Sequence, residues 1–308
     1  MQDAALREAI RRLAACDDRL PVDPGRDATA LAADGWTSAH VLVDPDAWPA
    51  VAQDYAAGIG SARSTVGGSC ALQGYAWRVA GLAIGAWALT GAVLDLGPGR
   101  VWVRMEGGRT VGVAAPDPRA DGTPPRAPGS PADPSLDPRS PADLCRDPGA
   151  LADAPADRPL HPVPPPRDPG ALADALVTRH LAPVIAASRT ASRLSQRVAW
   201  GNVASACASV LGLLDRALPA DARPGWRADA ERFLAASAWA FDDLVDLVRV
   251  PGPDGDVLAH ERRTCCLMRL APGKGECGSC ERLDPAERRA RLTRNVADGV
   301  APGRLVPA

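Results

Sequence analysis

The sequence predicts an α+β fold, in which N-terminal helices and a small antiparallel sheet precede a C-terminal helical bundle that carries a cysteine-rich segment. Apolar residues recur at helical spacing towards both ends of the 308-residue chain, and a short stretch of alternating residues lies between them. Aromatic residues make up only 4% of the chain, which favours closely packed helices over an aromatic-rich β-sandwich. A chain of this length can bury a sizeable core without disulfides.

The N-terminal part contains two predicted helices. Apolar residues at helical spacing indicate an amphipathic helix over residues 3–20. The apolar stretch 66–94 contains a single charge, Arg78, and its uncharged part, 79–94, would be about 24 Å long as a helix. Because the hydrocarbon core of a bilayer is roughly 30 Å thick, we interpret the stretch as a buried core helix. We therefore expect no transmembrane span, and the sequence leaves peripheral association with a membrane open.

A β-hairpin is expected after the long apolar stretch. Val101, Val103 and Met105 alternate with neighbours that are polar or aromatic, as in a half-buried strand. Residues 106–109, Glu-Gly-Gly-Arg, then predict a tight turn into a second strand over 109–115.

Composition divides the chain into five regions. Residues 116–170 hold 17 of the 31 prolines and few large apolar side chains, so they bury too little surface to offset chain entropy. The predicted regions are an N-terminal α/β region (1–115), a Pro-rich low-complexity linker or insertion (116–170), a helical region (171–255), a cysteine-rich segment (256–283) and a short helical tail (284–308).

Charge and cysteine content narrow the class of protein. A net charge of −2 provides no excess positive field for a polyphosphate, so we expect no nucleic-acid partner. The first residues mix charges where a secretory signal would need a basic start and an apolar run, so we expect a cytoplasmic protein. Eight cysteines in that compartment are more typical of thiols or metal ligands than of disulfides.

Four of the eight cysteines, Cys265, Cys266, Cys277 and Cys280, lie within 16 positions. Four thiolates suit either tetrahedral zinc or an iron–sulfur cluster. Zinc ribbons use two separated Cys-x₂-Cys turns, whereas one pair here is adjacent, with Cα atoms about 3.8 Å apart and side chains that tend to diverge. A two-iron cluster has ligand positions that lie further apart, so the spacing favours iron–sulfur and leaves zinc open.

The remaining four cysteines are dispersed, and none of them is expected to be catalytic. They are Cys16, Cys70, Cys145 and Cys207. Cys207 lies among Ala and Ser residues, as a small buried side chain would.

The run Arg-Arg-Thr-Cys-Cys, ten residues, then Cys-Gly-x-Cys over residues 262–280 resembles the C-terminal [2Fe–2S] motif of FhuF-type ferric-siderophore reductases. The similarity extends to Trp-Gly-Asn at 200–202, to Leu-Ala-Pro-Val at 181–184 and to the apolar helix at 73–89. It implies a cytoplasmic enzyme that passes one electron from a [2Fe–2S] cluster to an Fe(III)-siderophore, often of hydroxamate type. Residues 256–283 would be the cluster-binding segment, with Cys265, Cys266, Cys277 and Cys280 as ligands.

Positive charge near a thiolate cluster favours its reduced form and attracts acidic partners. On this ground we consider Arg262, Arg263 and Arg269 for contacts with substrate or partner, and the resemblance adds Trp200 and Asn202.

His260 and the glycine runs bear on the ligands of the centre and on the source of its electrons. His260 could ligate iron in principle, but four cysteines already complete a shell, so we expect it at a helix end or on the surface. No glycine run forms a dinucleotide or ATP loop, so electrons must come from an external donor. Two alternatives stay open. One is a zinc-clipped module, in which zinc on the same four thiolates holds the C-terminal segment for protein binding without catalysis. The other is an iron–sulfur sensor that does not turn over a siderophore.

Overall fold

The computed structural model describes residues 2–16, 22–23, 25–97, 99–122, 167–218, 221–252 and 255–297. Most of the predicted Pro-rich segment, residues 123–166, lies outside the described residues, as does the end of the predicted tail. Cys145 is in that undescribed stretch.

The predicted α+β class is confirmed, because helices dominate the described residues and two small antiparallel sheets accompany them. The α-helices are α1 (Gln2–Cys16), α2 (Ala28–Ala33), α3 (Trp48–Gly58), α4 (Ser64–Thr90), α5 (Pro169–Ala173), α6 (Ala182–Ser192), α7 (Gln196–Ala217), α8 (Arg223–Ala236), α9 (Ala238–Phe241) and α10 (Pro285–Ala297). Short 3₁₀ helices span Ala39–Val43, Pro45–Ala47 and Met268–Leu270, and a π-helix at Asp174–Leu181 joins α5 to α6. The strands are β1 (Thr37–Ser38), β2 (Trp102–Glu106), β3 (Arg109–Ala114), β4 (Val245–Val250) and β5 (Val257–Arg262).

The central element of the core is α4, the 27-residue helix predicted from the long apolar stretch. Its residues from Val79 to Ala88 are buried on every side, as expected for a core helix. Small residues let its neighbours approach closely: a Cβ on Gly67 would lie 1.9 Å from the carbonyl oxygen of Ala52 in α3. The helix ends at Gly91, whose φ of 72° is in the left-handed region that glycine adopts most easily.

The second long core helix is α7. Within the described ranges it is the one helix long and apolar enough to cross a membrane, and 94% of its most apolar window is buried inside the protein.

The first sheet contains the predicted hairpin. β1, β2 and β3 form an antiparallel sheet in that order, and Glu106 pairs with Arg109 across the turn. Gly107 and Gly108 have φ values of 52° and 71°. A two-residue turn of this kind requires positive φ at both positions, which explains the Gly-Gly pair.

The second sheet differs from the sequence prediction, which assigns residues 171–255 to a helical region and 256–283 to the cysteine-rich segment. Instead, β4 and β5 pair in an antiparallel hairpin that places Val245 opposite Arg262. Asp243 has a φ of 54°, and this left-handed backbone conformation lies between the end of α9 and the start of β4. Short apolar runs fit helical and strand periods equally well, and the β-branched valines of this run favour the strand.

The hairpin leads the chain into the cysteine-rich segment, and α10 follows that segment. Leu292 and Val296 of α10 pack against Val250, Val257 and Ala259 of the hairpin. The cysteine-rich segment is therefore anchored at both of its ends.

A candidate metal centre

The structure brings Cys265, Cys266, Cys277 and Cys280 together. The thiols interact in pairs, Cys265 with Cys280, and Cys277 with both Cys266 and Cys280. Three of the four side chains are buried within one apolar cluster, whereas that of Cys265 is only partly buried. The centre thus has one edge near the solvent.

These interactions shift the pKa values of the four thiols in opposite directions. They lower the pKa values of Cys266 and Cys280, and the charge of Arg262 contributes to both shifts. They raise the pKa values of Cys265 and Cys277, which are further raised by burial. The arrangement therefore favours the thiolate form at Cys266 and Cys280 and the neutral thiol at Cys265 and Cys277.

The contacts between the thiols are pairwise and follow the order Cys265, Cys280, Cys277, Cys266. In the part of the chain that the structure describes, no three His, Cys, Asp or Glu side chains are placed so that they could hold a single metal ion.

Local backbone geometry positions both cysteine pairs. Leu267, whose φ is 66°, turns the chain so that its N–H donates to the Cys265 sulfur at 3.4 Å. The N–H of Cys280 donates to the carbonyl of Cys277 at 3.0 Å, closing the second turn. Gly278 lies against α10, where a Cβ would be 2.4 Å from the amide nitrogen of Asn295.

A network of buried polar side chains connects the cysteine segment to the two long core helices. Ser69 Oγ donates to the carbonyl of Cys266 at 2.8 Å, and Asn202 Nδ2 donates to Ser69 O and Oγ at 2.9 and 2.8 Å. Arg262 donates through Nη2 to Asn202 Oδ1 at 2.6 Å and through Nη1 to Gln73 Oε1 at 3.2 Å. The network fixes the segment relative to α4 and α7.

A fifth cysteine lies beside the centre. Cys70 belongs to the same apolar cluster, and its sulfur is 3.8 Å from the carbonyl oxygen of Cys266. Burial raises the pKa of its thiol, so it is a neutral neighbour. Cys70 and Cys266 are 196 positions apart in the sequence, and no pattern in the sequence predicts their contact. Cys207 is buried in α7, as expected.

Two of the residues considered for substrate or partner contacts are inside the protein. Asn202 is fully buried and Arg262 is 2% exposed. A contact of these two side chains with a ligand or partner stays a prediction, and both side chains are covered in the folded protein. Their polar groups are used within the buried network.

The other three candidates are closer to the surface. Arg263 is exposed and pairs with Asp246, with 2.6 Å between Nε and Oδ2, and Arg269 is partly buried. Trp200 is almost covered and packs edge-on against Trp239, with ring centroids 5.2 Å apart. Trp239 is 60% exposed, so the aromatic pair reaches the surface through Trp239.

His260 does not lie at a helix end or on the surface, contrary to expectation. It is fully buried on β5, and its Nε2 is 2.9 Å from Ser205 Oγ. Burial, with a smaller contribution from Arg262, lowers the pKa of its imidazole to about 3. His260 is therefore a neutral core residue.

Comparison with known proteins adds one finding. The family model described as "Ferric iron reductase FhuF-like transporter" matches residues 72–250, which is more than half of the chain and extends from α4 to the end of β4. The four clustered cysteines lie beyond the end of the match. No curated protein matches the chain.

Proposed function

Because the chain belongs to the FhuF-like ferric iron reductase family, we propose that it reduces Fe(III) held by a siderophore of the hydroxamate type and releases Fe(II) in the cytoplasm. The observation that carries the proposal is the convergence of four cysteine thiols next to the family's core helices. The electron comes from an external one-electron donor.

The proposed cofactor is a [2Fe–2S] cluster held by Cys265, Cys266, Cys277 and Cys280. The donor set fits such a cluster, since all four side chains are thiols and they contact one another in pairs. When bound, the cluster supplies one-electron redox chemistry. The protein residues bury three ligands and leave Cys265 at the edge of the centre, which favours electron exchange with molecules at the surface.

Reduction explains how the metal would leave its chelator. Fe(II) is larger and less charged than Fe(III), so hard oxygen ligands hold it far less well. The siderophore itself need not be broken.

The cofactor is tested by purifying the protein anaerobically and measuring iron, acid-labile sulfide, zinc and visible absorbance. We expect about two irons and two sulfides per chain. Serine at any of the four positions should bleach or destabilise the cluster, whereas the matched variants Cys207→Ala and Cys145→Ser should retain it. Stoichiometric zinc in a colourless protein would instead support the zinc-clipped module.

The reaction is tested with iron and gallium complexes of one hydroxamate siderophore. Gallium(III) resembles iron(III) in size and charge but has no accessible divalent state in water. The pre-reduced protein should transfer iron to an Fe(II) trap, leave the gallium complex intact and return the siderophore chemically unaltered. Equal release of both metals, or a cleaved siderophore, would refute reduction as the releasing step. A cluster that loads but does not reduce the iron complex would support the sensor alternative.

A further inference from the structure

We propose that Arg262 is the buried counter-charge of the cysteine centre and raises its reduction potential, which makes it a positioning residue for the redox reaction. The inference rests on the proposed function, because it concerns the cluster that the four cysteines would hold. It assigns a role to a side chain that contacts neither the surface nor a substrate.

Arg262 is a buried cation that has no carboxylate partner among the described residues. Its side chain is 2% exposed, and its two hydrogen-bond acceptors are the neutral amide oxygens of Asn202 and Gln73. Its Nε has no hydrogen-bond partner among the described atoms. In the described part of the chain, no carboxylate forms an ion pair with it.

Two other poorly exposed arginines have carboxylate partners. Arg227 forms an ion pair with the fully buried Asp215 at 2.8 Å, and Arg288 forms one with Glu261 at 2.9 Å. Burying a charge without a compensating partner is unfavourable. Arg262, whose side-chain partners are neutral, would therefore be stabilised by a negative group that is not a carboxylate.

Arg262 lies in the polar shell around the cysteine pairs. Its main-chain N–H donates to the carbonyl of Ser279 at 3.3 Å, which places the residue against the turn that carries Cys277 and Cys280. Its guanidinium donates to Asn202, Asn202 donates to Ser69, and Ser69 Oγ donates to the carbonyl of Cys266. The negative charge that four cysteine ligands would bring to this centre would therefore compensate the guanidinium.

The effect on reduction follows from charge. Four thiolates around a two-iron, two-sulfide core form an anionic centre, and accepting one electron from the external donor adds one negative charge. A fixed buried cation stabilises the more negative, reduced form more strongly, and net charge is one of the main determinants of cluster potential. Removing the cation should therefore lower the potential.

The test is an anaerobic redox titration of the loaded protein, followed by visible absorbance. Arg262→Gln should shift the equilibrium about tenfold towards the oxidised form, equivalent to 59 mV for a one-electron couple. Arg262→Lys keeps the charge and should shift it by less than half as much. Arg263→Gln is the matched control, since Arg263 is adjacent but exposed and already paired with Asp246, and its potential should equal that of the wild type.

A second pair of variants leaves Arg262 in place, so the inference can be tested even if Arg262→Gln does not fold. Gln73→Glu places a carboxylate where the side-chain oxygen now accepts from Arg262 at 3.2 Å, and it should lower the potential. Gln53→Glu adds the same charge at an exposed site on α3 and should not.

The outcomes separate this inference from the proposed function. Potentials in Arg262→Gln or Gln73→Glu equal to that of the wild type would overturn the role of Arg262 while leaving the cluster established. Equal shifts in Arg262→Gln and Arg262→Lys would also overturn it, because packing rather than charge would then be responsible. A wild-type protein that assembles no cluster would refute the proposed cofactor itself.

Discussion

Gly201 determines how closely α7 approaches the cysteine segment. A Cβ at this position would lie 1.9 Å from Thr264 Oγ1 and 2.7 Å from Thr264 Cβ. Thr264 immediately precedes Cys265, and it is buried. The glycine of the Trp-Gly-Asn sequence therefore leaves room for the segment that carries the first two cysteines.

Gly201→Ala should push this segment away from α7. We expect a loss of about 1–3 kcal/mol in the free energy of unfolding, as for other overpacked core sites, together with faster loss of the cluster. Denaturant unfolding and the decay of visible absorbance measure the two effects. Gly225→Ala, in α8 where a new Cβ would meet nothing within 4 Å, is the control and should not destabilise the protein. Equal stability of both variants would contradict the close approach.

His260 makes stability depend on pH, because its imidazole is buried and neutral. Its pKa falls from 6.5 to about 3 on folding. Below pH 6.5 the unfolded chain therefore binds a proton that the folded protein does not, and this lowers stability as the pH falls towards 3. Above 6.5 both states are neutral and the contribution is constant.

His260→Gln should remove this part of the acid sensitivity. Between about pH 5 and 6, the wild type should lose up to about 1.4 kcal/mol per pH unit more than the variant, measured as the free energy of unfolding. His40→Gln, at an exposed position, should follow the wild-type profile. Parallel profiles for wild type and His260→Gln would mean that the imidazole is not held neutral.

The element that closes the cysteine segment is α10. Its apolar face packs on the β4–β5 hairpin through Leu292 and Val296, and its Arg288 pairs with Glu261 of β5. Its Asn295 lies directly against Gly278 between the last two cysteines. The helix therefore holds the second cysteine pair against the strand that leads to the first.

Leu292→Ala should weaken this closure. The substitution creates a cavity at a buried site and should cost about 2–4 kcal/mol, and the cluster should be lost faster to an iron chelator. Arg294→Ala on the exposed face of the same helix should change stability by less than about 0.5 kcal/mol. If Leu292→Ala retained the cluster as long as the wild type, α10 would have no part in holding the centre.

At the scale of the whole molecule, the two ends of the Pro-rich region are tied to the core. The N–H of Ala120 donates to Asp3 Oδ1 at 3.1 Å. Arg167 donates to Asp229 Oδ2 at 2.8 Å and lies over the ring of Trp87 at 5.9 Å from its centroid. The segment that can be replaced without loss of core contacts is therefore shorter than the Pro-rich region 116–170 that composition indicates.

Replacing residues 123–166 with a Gly/Ser linker should preserve the cluster spectrum and the thermal midpoint, since the composition of this segment is too poor in large apolar residues to add a packed core. Replacing 117–168 instead removes the contacts of Ala120 and Arg167, and should cost about 2 kcal/mol or more. Thermal unfolding of the two variants distinguishes them. Insoluble or cluster-free protein from the shorter replacement would show that the segment is an integral element.

The sequence by itself determined those features that depend on neighbouring residues. The charge-free stretch in α4 indicated a buried helix, Gly107 and Gly108 indicated a tight turn, and the spacing of Cys265, Cys266, Cys277 and Cys280 indicated a thiol centre. Each of these signals is local, because backbone conformation, amphipathic period and short-range spacing are properties of contiguous chain.

Only the tertiary structure decided which distant residues meet. It placed Cys70 and Ser69 beside Cys266, buried Arg262 against Asn202, and paired β4 with β5 where the period alone allowed a helix. Ser69 and Cys266 are 197 positions apart, and no local pattern encodes the packing of α4 and α7 that brings them together. The burial of Arg262 beside the cysteine segment, and of His260 as a neutral core residue, is a property of that packing, and so it arises only in the folded protein.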